Sequence, residues 1–180
     1  TSIYMVDDET GYVAIDANAG AIISIDHQSF LFGDTLIYEA GNGLIFNEIE
    51  VKDGETPKPV LYKTTDGGTT WKEIETPFLT RVMDMQFLNE NVGYITAYDD
   101  GVYKTIDGGQ NWKKILENIM HTIHGDNYTN PFNYVCFIDE NKGFLYSNEI
   151  NGTALFSTRD GGQSWKCVSI EYAPNLVGKH

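Results

Sequence analysis

One short segment recurs three times without a gap, and it limits the chain to folds built from repeated hairpins. The copies are Leu61-Tyr-Lys-Thr-Thr-Asp-Gly-Gly-Thr-Thr-Trp71, Val102-Tyr-Lys-Thr-Ile-Asp-Gly-Gly-Gln-Asn-Trp112 and Leu155-Phe-Ser-Thr-Arg-Asp-Gly-Gly-Gln-Ser-Trp165. A hydroxyl stands two residues before each Asp (Thr64, Thr105, Thr158), and an aromatic stands four before it (Tyr62, Tyr103, Phe156). Each copy ends in one of the three tryptophans of the chain. Apolar alternation before an Asp-Gly-Gly turn reads as a strand entering a tight hairpin.

A second element precedes these copies. Phe87-Leu-Asn-Glu-Asn-Val-Gly-Tyr-Ile95 matches Phe137-Ile-Asp-Glu-Asn-Lys-Gly-Phe-Leu145, and Met5-Val-Asp-Asp-Glu-Thr-Gly-Tyr-Val13 matches both. It reads as strand, acidic turn, glycine, strand. The Met5–Val13 copy invites a partner downstream. Gly20-Ala-Ile-Ile-Ser-Ile-Asp26 aligns with Gly101–Asp107, so Ser24 and Asp26 mark a decayed hairpin copy without its Gly-Gly and Trp. The segments at Leu36–Tyr38 and Gly43–Phe46 would be a weak first half for the unit ending at Trp71.

The four Asp positions, 26, 66, 107 and 160, are spaced by 40, 41 and 53 residues, the last interval holding an extra loop at 118–133. A period near 40 made of four short strands is the pattern of β-propeller blades. The expected fold is therefore all-β, a single domain of four-stranded antiparallel blades covering residues 3–32, 35–75, 82–117 and 134–170. Two architectures fit: a closed four-bladed ring, or an open segment of a larger propeller. The open form is favoured, and its exposed strand edges would promote a homodimer.

The chemistry of the hairpin explains its residues. Glycines Gly67, Gly68, Gly108, Gly109, Gly161 and Gly162 supply the positive φ of a tight turn. Asp66, Asp107 and Asp160 can accept bonds from N–H groups of their own turn and from the hydroxyl two residues back. Trp71, Trp112 and Trp165 can cover the hairpin, burying on the order of 150–250 Å² each. On this reading the carboxylates are turn fasteners and not catalysts.

The pattern resembles the bacterial neuraminidase repeat, or Asp-box, family. With the Phe-x-(Asp/Asn)-x-x-x-Gly-(Tyr/Phe) element before the box, it is similar to the repeats of photosystem II stability/assembly-factor-like propellers. The resemblance spans nearly the whole chain at the level of blades. It implies the propeller fold, places the boxes at the blade periphery, and implies an extracytoplasmic, bacterial setting. It says little about activity, because sialidases, xyloglucan-cleaving hydrolases and sortilin-type receptors share similar boxes.

No catalytic constellation stands out, and the expectation is a protein without enzymatic activity. A sialidase needs three arginines to grip a substrate carboxylate, whereas this chain has Arg81 and Arg159 only. A glycosidase needs two convergent carboxylates, and among 26 acids the sequence singles out no such pair. His121-Thr-Ile-His124 beside Asp126 would suit a metal only if the loop turned helically, so no metal and no cofactor are expected. The two cysteines, Cys136 and Cys167, read as buried thiols on separate strands of one unit. Asn127-Tyr-Thr129 and Asn151-Gly-Thr153 are glycosylation sequons in a eukaryotic secretory setting alone.

A net charge of −14 argues against nucleic acid and against an anionic membrane surface. It allows a basic protein partner, although solubility alone would also favour it. No apolar run reaches the ~20 residues of a membrane span, and no signal peptide opens the chain, whose start at Thr1-Ser2 reads as trimmed.

Strand alternation predicts two ends for each blade. One end holds the acidic turns at Asp7–Glu9, Asn89-Glu90 and Asp139-Glu140 together with the hairpins. The other holds the long insertions Asn47–Pro59, Thr76–Thr80, Glu117–Asn133 and Ser147–Thr153, where binding concentrates. Its candidate partner contacts are Glu50, Asp53, Glu55, Tyr98, Asp99, Asp100, His121, His124, Asp126, Tyr128, Phe132 and Glu149. Three functions compete: a non-catalytic binding or assembly scaffold, which is preferred; an acidic inhibitor or immunity-type protein blocking a basic enzyme; and a sialidase- or glycosidase-like domain.

Overall fold

The structure, a computed structural model, describes residues 2–15, 59–78, 80–98, 100–123, 126–149 and 152–171. These residues form strands and turns and contain no helix, so no helix among them is long and apolar enough to cross a membrane. Three four-stranded antiparallel sheets carry the architecture. Blade one is β1 (Ser2–Met5), β2 (Gly11–Ile15), β3 (Val60–Thr64) and β4 (Lys72–Ile74). Blade two is β5 (Val82–Phe87), β6 (Gly93–Ala97), β7 (Gly101–Thr105) and β8 (Lys113–Leu116). A two-stranded hairpin follows, β9 (Ile119–Ile123) and β10 (Asp126–Asn130). Blade three is β11 (Tyr134–Phe137), β12 (Gly143–Glu149), β13 (Gly152–Thr158) and β14 (Lys166–Glu171).

The register repeats from blade to blade. Gly11, Gly93 and Gly143 open the second strands and sit opposite Thr64, Thr105 and Thr158. Each glycine leaves room for the last residue of the first strand: a Cβ would fall 2.3 Å from the Met5 sulfur at Gly11 and 2.3 Å from the Phe87 ring at Gly93. At Gly143 the Phe137 ring would be 2.6 Å away.

The first two expected blades need correcting. Residues expected in blade 3–32 and in blade 35–75 lie in one sheet, because β2 pairs with β3 from Gly11↔Thr64 to Ile15↔Val60. The acidic-turn element at Met5–Val13 and the box at Leu61–Trp71 are complementary halves of one blade, separated in sequence but adjacent in space. Ser24, Asp26 and the Leu36–Phe46 segment lie outside the described residues, so three blades are on view.

Side chains fill the spaces between blades. Tyr12, Leu61, Phe78, Met85, Phe87, Ile95 and Tyr103 form the core between blades one and two. Val92, Tyr94, Val102, Phe132, Val135, Phe137 and Leu145 form the core between blades two and three. Inner strands meet directly as well. Asp84 accepts the Val135 N–H at 2.9 Å, and Gln86 brackets the Phe137 peptide by donating to its carbonyl (2.9 Å) and accepting from its N–H. Burial pushes the Asp84 carboxyl above its usual range, while the Val135 and Met85 N–H groups pull it back.

Candidate functional site

The three Asp-Gly-Gly hairpins share one geometry. Thr64 Oγ1 donates to Asp66 Oδ1 at 2.8 Å and accepts the Gly68 N–H at 2.9 Å. The other carboxylate oxygen takes the Thr70 hydroxyl at 2.6 Å, while Oδ1 takes the Thr70 N–H at 2.8 Å. Asp107 does the same with Thr105 and both nitrogens of Asn111, and Asp160 with Thr158 and Ser164. Each carboxylate is bonded within its own turn, on its own blade. The Ser164 hydroxyl, the Ser164 N–H and the Thr158 hydroxyl hold Asp160 down to about 2, and equivalent groups lower Asp66 and Asp107.

Each hairpin is also tied to the acidic turn beside it. Gly67, Gly108 and Gly161 donate their N–H groups to the carbonyls of Glu9, Asn91 and Asn141, all at 2.9 Å. Those turns are organised by Asp7, Asn89 and Asp139, whose side chains accept from the backbone two and three residues on. The carboxylates and turn amides at this end of the blades are satisfied locally, while the ring nitrogens of Trp112 and Trp165 are buried without a partner among the described residues. Two of the tryptophans pack on the cores, Trp112 edge-on to Phe87 and Phe78 and Trp165 edge-on to Phe137, while Trp71 donates its ring N–H to the Gly68 carbonyl at 2.9 Å.

At the opposite end the chain leaves β2, crosses between β6 and β7, passes from blade to blade, and turns between β12 and β13. Tyr98 is exposed there at 37%, with the Arg81 guanidinium 4.4 Å over its ring. The pair is braced by the Tyr98 N–H on the Arg81 carbonyl and by Asn118 Nδ2 on the Tyr98 carbonyl. Asp100 is ion-paired to Lys114 at 2.6 Å, which holds the lysine well above its ordinary value. The expected loop 117–133 is mostly the β9–β10 hairpin, whose backbone register pairs His121 with Tyr128 and Ile123 with Asp126. His121 therefore lies in a strand, without the helical turn that a His-x-x-His metal pair requires. The expected insertion 147–153 is likewise largely strand, with Glu149 closing β12.

Phe132 is a correction. It is 1% exposed and meets Phe156 edge-on, so it belongs to the core between blades two and three and not to a contact surface. The turn from the hairpin into β11 carries it inward. The cysteines are a correction in the other direction. Cys136 and Cys167 are exposed and unbridged to each other, because both lie on blade three, whose outer side faces no further blade among the described residues. Glu50, Asp53, Glu55, Asp99 and His124 lie outside the described residues. Among the described residues no group of His, Cys, Asp and Glu could hold a metal ion.

The Arg81–Tyr98 pair is not legible in the sequence, where Arg81 stands out only as one of two arginines. The structure adds the stacks of Tyr12 on Phe87 and Tyr94 on Phe137, at 3.6 and 3.5 Å between centroids. The aromatic after each repeated glycine (Tyr12, Tyr94, Phe144) is the signal in the sequence that points to them.

Four-stranded blades, inner strands packed side by side and an Asp-box hairpin in each blade define an Asp-box β-propeller. The chain belongs to the family described as photosynthesis system II assembly factor YCF48, whose profile matches residues 63–172. Among solved structures, a GH74 xyloglucanase from Xanthomonas campestris is similar over 91% of this chain and 22% of its own, at 16% identity and a TM-score of 0.51. This chain thus spans about a fifth of that enzyme, and at such identity the likeness concerns fold alone. A Niastella koreensis GH74 enzyme (15% identity, 62% of this chain and 18% of that one, TM-score 0.47) and a structure described as YCF48 bound to D1 peptide are also similar. The latter shares 15% identity over 92% of this chain and 80% of that one, at a TM-score of 0.37. No curated protein matches the chain by sequence.

Proposed function

We propose that this protein is a non-catalytic assembly scaffold that holds a protein partner on the end of the blades opposite the Asp-boxes. The observation that carries the reading is membership of an assembly-factor family over residues 63–172. The geometry supports it. The repeated carboxylates are engaged in their own hairpins, which leaves them poor candidates for attacking or protonating a substrate. The opposite end presents Tyr98 with Arg81 and the β9–β10 hairpin on a rigid frame, the kind of aromatic and arginine anchor that interfaces favour. A basic partner suits the charge of −14. An extracytoplasmic setting belongs to the same reading and rests on the family resemblance.

The test is affinity capture by the purified chain, followed by binding measurements of the captured partner to two variants. Tyr98→Ala is expected to weaken binding, and Asp66→Asn, at the other end of the blade, is expected to leave it unchanged. Equal losses from both variants would defeat the placement of the site. The charge also supports a second reading, an acidic inhibitor; tight capture of a single enzyme that loses activity and is released by salt would favour it. Turnover of a glycoside that one carboxylate substitution abolishes would overturn the non-catalytic reading altogether.

A further inference from the structure

The two junctions between blades are built from the same four positions. On the giving side, Tyr12 and Tyr94 stack on Phe87 and Phe137 of the following blade. Tyr4 Oη and Gln86 Nε2 donate to the carbonyls of those same phenylalanines, at 3.0 and 2.9 Å. Lys63 and Lys104 each reach the carbonyl of the first box glycine, Gly108 or Gly161, at 3.4 Å. Ile74 and Ile115 pack over the second glycine, with Cδ1 only 3.2 Å and 2.6 Å from where a Cβ of Gly109 or Gly162 would sit.

Blade three carries a third giving side, and blade one a third receiving side. Register puts Phe144 opposite Cys136, as Tyr12 is opposite Tyr4 and Tyr94 opposite Gln86. Val168 follows Trp165 by the same interval as Ile115 follows Trp112. On the receiving side Met5 lies over Gly11 as Phe87 lies over Gly93. The positions that are buried or half-buried inside the arc are open at its ends. Phe144 is 37% exposed, Val168 54% and Met5 46%, and Gly67 is exposed where Gly108 and Gly161 are buried.

We propose that a second copy of this chain completes these junctions head to tail, Phe144 and Val168 of one copy seating on Met5 and the Gly67–Gly68 turn of the other. Both halves of the joint are present on one chain, and each copies an internal joint in register, with Cys136 in the place of Tyr4 and Gln86 and Ser157 in the place of Lys63 and Lys104, so that the end joint relies on apolar contact more than on hydrogen bonds. Phe144 against the Met5 thioether replaces ring on ring with sulfur on ring, a favourable contact. Two such joints close the three described blades of each copy into one six-blade ring, within the range of known propellers. Copies charged at −14 repel one another, so salt strengthens this association, whereas it would weaken the hold on a basic partner.

The experiment is sedimentation or light scattering of the 180-residue chain at two concentrations and two salt levels, with maleimide labelling of Cys136. A species of twice 20.2 kDa is expected, favoured by salt and with Cys136 protected. Phe144→Lys and Met5→Glu are each expected to give folded monomers with Cys136 exposed. Mixing the two variants is expected to restore the dimer, because one joint is then native and the other pairs Lys with Glu; this rescue also shows that both variants fold. A wild-type monomer at every concentration, or a dimer indifferent to both substitutions, overturns the proposal. So does a monomer whose Phe144 face is covered by residues 16–58 of its own chain.

Discussion

Tyr94 lies flat on Phe137 across the junction of blades two and three, with centroids 3.5 Å apart and 7° between the ring planes. The Tyr94 ring is wholly buried, and burial, helped by Glu140 and Asp139, pushes its phenol up to about 12. Trp165 stands edge-on to the same Phe137. One phenylalanine therefore joins two blades and anchors the hairpin of its own. Phe137→Ala is expected to destabilise the fold by about 3–5 kcal/mol. Urea unfolding monitored by Trp fluorescence measures it, and a loss under about 1 kcal/mol would contradict the role assigned to the stack.

Acid acts on the Asp-box carboxylates with a definite sign. Asp160 titrates at about 2 in the folded chain, below its ordinary 3.8, so its contribution is complete above that ordinary value and fades as pH falls toward about 2. Asp66 and Asp107 are lowered too and act in the same direction. Ser164→Ala removes the largest cause and is expected to move the Asp160 carboxyl up toward 3.8, read by NMR titration of its side-chain carbonyl.

Gly108 and Gly67 hold the same turn position, at φ of 68° and 66°, yet they should not tolerate alanine equally. At both, a left-handed backbone costs a non-glycine residue roughly 1–2 kcal/mol. At Gly108 the added Cβ would also fall 2.7 Å from the Glu90 carbonyl oxygen, whereas at Gly67 the nearest atom, the Asp8 carbonyl, is 3.2 Å away. Gly108→Ala is expected to lower the melting temperature more than Gly67→Ala. A calorimetric scan of the two variants decides it.

Phe132 and Tyr98 were both expected at the partner surface, and the structure divides them. Phe132→Ala should lower the melting temperature sharply, by the loss of a buried ring. Tyr98→Ala should leave melting nearly unchanged, because surface substitutions rarely exceed ~0.5 kcal/mol, while partner affinity falls. Thermal melts beside binding isotherms would expose the reverse pattern if the division is wrong.

The Asp-box hairpins were legible in the sequence because their bonds are local. Thr64, Asp66, Gly68, Thr70 and Trp71 interact within a few residues of one another, so spacing alone specifies the turn. Opposed strand pairs such as β5–β6 and β11–β12 were legible for the same reason: a short turn and a glycine join each pair. The alternation in β5 was also readable in part. Met85 and Phe87 are buried while Asp84 and Gln86 are half-buried, but a bulge near Val82 breaks the strict period, which residue types alone do not announce.

What the sequence determined by itself was the repeated unit: four strands, two turns at one end, and a carboxylate bound to its own hairpin. Which halves combine was set in three dimensions, since β2 finds β3 across the residues between Ile15 and Val60. Packing between blades likewise set what is covered, burying Phe132 and leaving Phe144, Cys136 and Val168 open. The reason is physical: a turn is held by neighbours in the chain, whereas burial depends on which surface arrives from elsewhere, and identical positions in a repeat meet different surroundings at the middle of an arc and at its ends.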